Sequence, residues 1–267
     1  MNVKFISEQG KRPQNEDKHS IYENISGGNH SINKINLYAV YDGHGGKYVS
    51  DYLSKKLPKA FLNNSLSYPL TGRIINSIYK GLTSDLEKNH LKQSAHCGST
   101  CLVVLEYRYK MNRYIDILNT GDSRCVLCTD NVALPKTKDH KPGWPEEQER
   151  IQKLGGKIYF DGYDWRIKDL SVSRAFGDND AKPYLTSKPE VFRHRITHRD
   201  KFLILACDGL WDVLDNQTAV NLVLSECYNM KTGLRINFKL NIAKKLADLA
   251  LHKGSTDNIT AIVVFLH

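Results

Sequence analysis

Two periods alternate in the hydrophobic pattern of this chain. Leu37-Tyr38-Ala39-Val40-Tyr41 and Phe202-Leu203-Ile204-Leu205-Ala206 are short, unbroken apolar runs of β-prone residues and read as buried strands. Further strands are predicted over Val3 to Ser7, Lys18 to Tyr22, Cys101 to Glu106, Tyr114 to Leu118, Cys125 to Cys128, Glu190 to Ile196 and Ile259 to Leu266. Short strands are expected near Lys157 to Tyr159, Trp165 to Ile167 and Leu170 to Val172. Helical spacing takes over in Lys47 to Leu57, where Val49, Leu53 and Leu57 recur every four residues and Pro58 is the expected stop. Arg73 to Asn89 places Ile74, Ile75, Ile78, Tyr79, Leu82 and Leu86 on one face. Thr218 to Tyr228 and Asn237 to His252 are two more amphipathic helices, and Pro145 to Leu154 is a short one ended by Gly155-Gly156. The polar stretch Glu23 to Asn33 carries Gly27-Gly28 and reads as a hairpin loop.

The order is strands, a helix pair, many strands, a helix pair and a strand. That order separates the helices from a largely antiparallel β core. The predicted class is α+β: a four-layer αββα sandwich, two mainly antiparallel sheets flanked by helix pairs. With no repeat, low-complexity stretch or linker in the sequence, residues 1–267 are expected to form a single domain.

Composition narrows the classes. The sequence has 267 residues and ordinary globular proportions, with no apolar run long enough to span a membrane. The start, Met1-Asn2-Val3-Lys4-Phe5, lacks a signal-peptide core and has Asn at the position myristoylation needs as Gly, so a cytoplasmic or nuclear location is expected. The six cysteines are then expected as thiols. Cys125 and Cys128 form a C-x-x-C, but residues three apart on a strand face opposite ways and no second pair has zinc spacing. The net charge of +9 comes from scattered Lys and Arg, not a basic tail, which argues for a solvated surface over nucleic-acid or membrane binding.

The chemistry lies at strand ends. Both long apolar runs finish in Asp-Gly, at Asp42-Gly43-His44-Gly45-Gly46 and at Asp208-Gly209-Leu210-Trp211-Asp212. One Asp-Gly is an ordinary turn. Glu16, Asp17, Asp42, Asp122, Asp208, Asp212 and Asp257, all in loops beside strands, are more than turns require. Such carboxylates cannot crowd together ionised without cations between them. Hard oxygen donors without a His or Cys set suit magnesium or manganese, and two ions sharing a water would generate a nucleophile at neutral pH.

In order along the chain, several motifs resemble those of the metal-dependent serine/threonine protein phosphatases of type 2C, the PPM family. These are Gly10-x-Arg12-x-x-x-Glu16-Asp17, Asp42-Gly43-His44-Gly45-Gly46, Gly98-Ser99-Thr100, Asn119-x-Gly121-Asp122-Ser123-Arg124 and Asp139-His140-Lys141-Pro142. Glu149-Arg150-Ile151 through Gly155-Gly156, Ser173-Arg174-Ala175-Phe176-Gly177-Asp178, Asp208-Gly209-Leu210-Trp211-Asp212 and Asp257-Asn258 follow. The resemblance covers almost the whole chain. It implies a β-sandwich with the metal site at one end and hydrolysis of phosphoserine and phosphothreonine by a water bridging two Mn2+ or Mg2+ ions. Asp42 would bridge the ions, Asp208 and Asp257 would complete the first, and Glu16 and the Gly43 carbonyl would serve the second. Asp122, with Asp208, would hold a weaker third ion. Asp17 would orient a bound water, and Asp212 and Asn258 would support the site. Arg12 would grip the phosphate and His44 would act as general acid.

The expected partners are phosphorylated proteins, not nucleic acid or membrane, with the protein acting as a monomer. Two departures from the family pattern stand out. Arg166-Ile167-Lys168-Asp169-Leu170 lacks an expected Gly, and Tyr41 stands where Phe is common. The segment Ala181 to Pro189 is where family members differ in substrate choice. The rival readings are a catalytically silent phosphoprotein-binding regulator of the same fold and a basic nucleic-acid binder. Metal-dependent turnover would separate the first, and a steep salt dependence of binding the second.

Overall fold

A computed structural model describes residues 2–26, 34–63, 65–229 and 231–267. Ten strands build its two main sheets: β1 (Val3–Glu8), β2 (Lys18–Ser26), β3 (Lys34–Tyr41), β4 (Cys101–Tyr109), β5 (Asn112–Thr120), β6 (Arg124–Thr129), β7 (Val132–Pro135), β8 (Glu190–Arg195), β9 (Asp200–Ala206) and β10 (Ile259–Phe265). The longer helices are α1 (Tyr48–Phe61), α2 (Gly72–Asn89), α3 (Pro145–Lys153), α4 (Asn216–Cys227) and α5 (Ile242–His252). One sheet runs β1-β10-β9-β6-β7 and the other β8-β5-β4-β3-β2, with every neighbouring pair antiparallel. No helix among the described residues is long and apolar enough to cross a membrane.

The unbroken apolar runs have a simple cause: each sheet is covered on both faces. In β3, Tyr38 and Val40 point into the core between the sheets, whereas Leu37, Ala39 and Tyr41 pack with residues of α1 and α2. In β9, Leu203 and Leu205 join that same central core, and Phe202, Ile204 and Ala206 pack with α4 and α5. Four layers result, helix–sheet–sheet–helix, as predicted. Cys125 and Cys128 fall on opposite faces of β6, one in the central core and one under the helices, so they cannot share a zinc ion.

The register gathers the loops that matter. Tyr41 pairs with Lys18, Cys101 with Thr120, Ala206 with Arg124 and Ala261, and Glu8 with Ile259. Antiparallel pairing therefore brings the C-terminal ends of β1, β3, β5 and β9 beside the N-terminal ends of β2, β4, β6 and β10. The turn from β5 to β6 joins the two sheets at that end.

Several boundaries differ from expectation. The first helix does not stop at Pro58 but continues to Phe61. Proline removes the donor that the Ser54 carbonyl needs, and Ser20 Oγ donates to that carbonyl from β2 at 3.3 Å. The last helix begins at Ile242, not Asn237: Asn237 has φ +55°, and Asn241 caps the helix by accepting from the Lys244 N–H. Strand β2 runs on past Tyr22 to Ser26 through an irregularity before Ile25, and β7 was not anticipated. The tip of the predicted hairpin loop, 27–33, lies outside the described residues. Of the three short strands expected after Gly156, only a two-residue ladder remains, Tyr159–Phe160 with Trp165–Arg166, and Leu170 to Val172 is not a strand. Without the expected Gly, Lys168 and Asp169 themselves adopt φ of +45° and +67°, turning the chain back so that Ile167 bridges Leu170.

Candidate active site

Asp42 follows β3, Asp122 sits in the β5–β6 turn and Asp208 follows β9. One carboxylate oxygen from each lies within 4.8 Å of the other two. Ligand atoms of Asp17, Asp42 and Cys207 form a second group within the same distance. Asp17 is 3% exposed, and among the described residues its Oδ2 has no hydrogen-bond partner. Burial, reinforced by Asp208, pushes the Asp42 carboxyl well above the usual range. Burial and then Asp122 push Asp208 up to about 8, and burial pushes Asp17 to about 6. These side chains resist being charged together, and one buried oxygen lacks a donor. A divalent cation relieves both, and the donor set is nearly all oxygen, which fits Mg2+ or Mn2+.

Most of the remaining predicted residues line one cleft of about 420 Å³, with Arg12, Glu16, Gly43, His44, Asp257 and Asn258 in its walls. A Cβ at Gly43 would collide with the Glu16 carbonyl, so glycine is what lets these two loops touch. Glu16 is fixed by Ser50 Oγ, which donates to its carbonyl at 2.5 Å, and by the Gly46 N–H, which donates to Oε2 at 3.2 Å. Asp257 accepts the Asn258 N–H at 2.7 Å on Oδ1 and Arg12 Nη2 at 2.5 Å on Oδ2.

Asn258 is buried and acts as a clamp. Its Oδ1 accepts the Glu16 N–H at 2.9 Å, and its Nδ2 donates to the carbonyls of Gln9 at 2.7 Å and Gln14 at 2.9 Å. Three bonds from one amide hold the loop that carries Arg12 and Glu16. Asn258→Ala is expected to lower folding stability by about 2–3 kcal/mol, since three bonds are lost and each nets about 1 kcal/mol. Urea denaturation checks this, and Mn2+ affinity should fall with it because Glu16 loses its support.

His44 is held from behind. Its Nε2 lies 2.7 Å from Oδ2 of Asp178, which is 1% exposed. Burial opposes a charged imidazole here, but the Asp178 bond outweighs it and raises the His44 pKa. A side chain at Gly98 would overlap both residues, which explains the glycine of the Gly98-Ser99-Thr100 motif. The segment leading to Asp178 is anchored by buried Glu147. Arg174 donates to Glu147 through Nε at 3.0 Å, and Arg150 through Nη2 at 2.8 Å. Against its own burial, the two arginines keep that carboxyl at about 2. Arg150 also donates to the carbonyls of Ser173 and Tyr184. The neighbouring Glu149, part of the Glu149-Arg150-Ile151 motif, is exposed and pairs with Lys153.

The chain matches the family described as Protein phosphatase 2C over residues 1–259. A probable protein phosphatase 2C of Oryza sativa subsp. japonica is 35% identical over 98% of this chain and 87% of its own length. This chain belongs to the protein phosphatase 2C family. A second rice relative, also 35% identical, matches all of the chain, which spans 66% of that protein. A PP2C-like domain-containing protein of Acanthamoeba polyphaga mimivirus is 46% identical over 57% of the chain and 93% of its own length. Among solved structures, a phosphatase from Toxoplasma gondii shares the fold with a TM-score of 0.81 at 23% identity, covering 98% of this chain and 92% of that one. Membership carries the general assignment of protein phosphatase.

Within this 2C-type cleft, not every expected residue sits at the centre. Glu16 and Asp257 line the cleft but stand outside the tight carboxylate groups. Asp212 lies one turn beyond Asp208 and does not line the cleft; partial desolvation raises its carboxyl against the opposing charge of Lys141. The Ala181 to Pro189 segment is also absent from the wall. Arg166 and Asp169 to Val172 take that place, so the rim is built by the hairpin that lacks the family's glycine. Three residues of consequence were not singled out from the sequence: Asp178, Glu147 and Lys141. Each lies inside or beside a quoted motif, but Asp178 and Lys141 meet partners far along the chain, and Glu147 joins the nearby Arg150 to the distant Arg174.

Proposed function

We propose that this 2C-family phosphatase hydrolyses phosphoserine and phosphothreonine in proteins with water as the nucleophile. The observation that carries the reading is the meeting of Asp42, Asp122 and Asp208 within 4.8 Å, with Asp17 Oδ2 unpartnered beside them. Asp42, Asp208 and Asp257, together with Glu16 and the Gly43 carbonyl, would hold the ions, and Asp122 with Asp208 would hold a weaker one. Bound Mn2+ or Mg2+ would supply an activated water at neutral pH and offset phosphoryl charge.

The chain's own groups do the rest. Arg12 is 56% exposed at the cleft wall, and its planar fork swings from Asp257 to the phosphate dianion. Asp17 accepts from the attacking water and aligns it. His44 keeps its Nε2 proton on Asp178 and gives its Nδ1 proton to the departing Ser or Thr oxygen. Asp178 holds the ring through that transfer.

The test is turnover of a phosphoserine peptide by purified protein with Mn2+ or Mg2+, then with EDTA. Hydrolysis that requires the ion supports the enzyme. Folded protein that binds the phosphopeptide without hydrolysing it under either metal would replace this reading with the silent-regulator one.

A further inference from the structure

At the acidic end of the sandwich a largely buried ammonium group meets one of the clustered carboxylates. Lys141 Nζ is in direct contact with Asp122 Oδ2. Asp122 is 2% exposed, and the Lys141 side chain is only 25% exposed.

The backbone around Lys141 is bolted to the turn that carries Asp122. The His140 N–H donates to the Gly121 carbonyl at 3.0 Å, and the His140 carbonyl accepts the Ser173 N–H at 2.9 Å. Asn119 Nδ2 donates to the carbonyls of both Gly121 and Lys138 at 3.0 Å. Asp139 pairs with Arg124, which opens β6 on the far side of the same turn. A surface lysine normally gives up its pairing to retain side-chain freedom. Here the ammonium is delivered to one carboxylate by a scaffold fixed at both ends.

We propose that Lys141 is a built-in counter-ion for Asp122, competing with a divalent ion for that carboxylate and so setting how weakly the Asp122–Asp208 position holds metal. The inference rests on the metal-centre reading above. An ion arriving at Asp122 must displace the ammonium or face its charge, whereas the cation on the other side, Arg12 on Asp257, is 56% exposed and free to swing away. Lys141 thereby separates tightly held ions from one that binds only at high concentration.

Mn2+ alone is the probe. EDTA-stripped wild type, Lys141→Met and Lys141→Arg are titrated, and free Mn2+ is read by its EPR signal. The expected result is a weakest site at least about tenfold tighter in Lys141→Met, equivalent to about 1.4 kcal/mol. Lys141→Arg should match wild type, and adding Asp122→Asn to Lys141→Met should remove the gained site. If Lys141→Met does not fold, Lys141→Gln carries the same comparison. An unchanged weakest site in the folded neutral variant overturns the counter-ion role while leaving the metal centre intact. Wild type that binds no Mn2+ overturns both.

Discussion

Asp42→Asn and Asp208→Asn are each expected to abolish phosphopeptide hydrolysis, by about 10³-fold or more, while making the EDTA-treated protein more stable. Loss of activity follows from removing a ligand whose ions supply several kcal/mol of charge stabilisation. The gain in stability follows from the same geometry read without metal. Asp42, Asp122 and Asp208 face one another within 4.8 Å, and burial and mutual repulsion raise the carboxyls of Asp42 and Asp208. A neutral amide removes the cost of holding one more carboxyl, charged or forced to take up a proton, in the crowded cluster, for a gain on the order of 2 kcal/mol.

The pH dependence has a definite sign. Asp208 titrates near 8 in the folded protein and near the usual carboxylate value, about 3.9, when unfolded. The folded state therefore binds the proton more tightly. Its contribution to stability is complete below about pH 3.9 and is lost as pH rises through about 8. EDTA-treated wild type should gain stability as pH falls from about 8 toward 5, before general acid denaturation sets in. Excess Mn2+ should reverse that slope, because protons then compete with the ions. Urea midpoints across this range check both signs. A flat profile in EDTA, or an asparagine variant less stable than wild type without metal, would contradict the crowded-carboxylate description.

His44→Ala should separate two substrates that differ in their leaving group. A serine alkoxide needs a proton as it departs, whereas p-nitrophenolate leaves without one. Loss of the general acid is expected to slow a phosphoserine peptide by about 10²–10³-fold and p-nitrophenyl phosphate by less than about tenfold. Asp178→Asn should give the same pattern in weaker form. Its amide still reaches Nε2 at the 2.7 Å contact but no longer favours the charged ring. The drop should appear in kcat rather than KM, because neither residue is placed on the substrate's ground-state phosphate. Equal losses on both substrates would remove His44 from the proton step and leave it a structural part of the cleft.

The features legible in the sequence are those whose cause is local. Leu37 to Tyr41 and Phe202 to Ala206 read as strands because a strand covered on both faces must be apolar throughout. Their terminal aspartates were visible for the same reason, as the first polar residues after such a run. The residues that escaped notice depend on partners far along the chain. Asp178 meets His44 across 134 positions, and Lys141 meets Asp122 across 19. No periodicity encodes either pair. Pro58 misled in the same way, since its unmet carbonyl partner at Ser54 is satisfied by Ser20 on another element. The sequence motif names Glu149, but α3 turns Glu147 inward and leaves Glu149 exposed.

The central claim is that catalysis resides in ions held by the Asp42 cluster. The most direct measurement follows Mn2+ binding and phosphopeptide hydrolysis together as EDTA-stripped wild type and Asp42→Asn are titrated with metal. The expected result is no hydrolysis before metal, turnover that rises with the tightly bound ions in wild type, and neither tight binding nor turnover in Asp42→Asn. Hydrolysis that persists in EDTA, or Asp42→Asn that binds Mn2+ and turns over as wild type does, would contradict it.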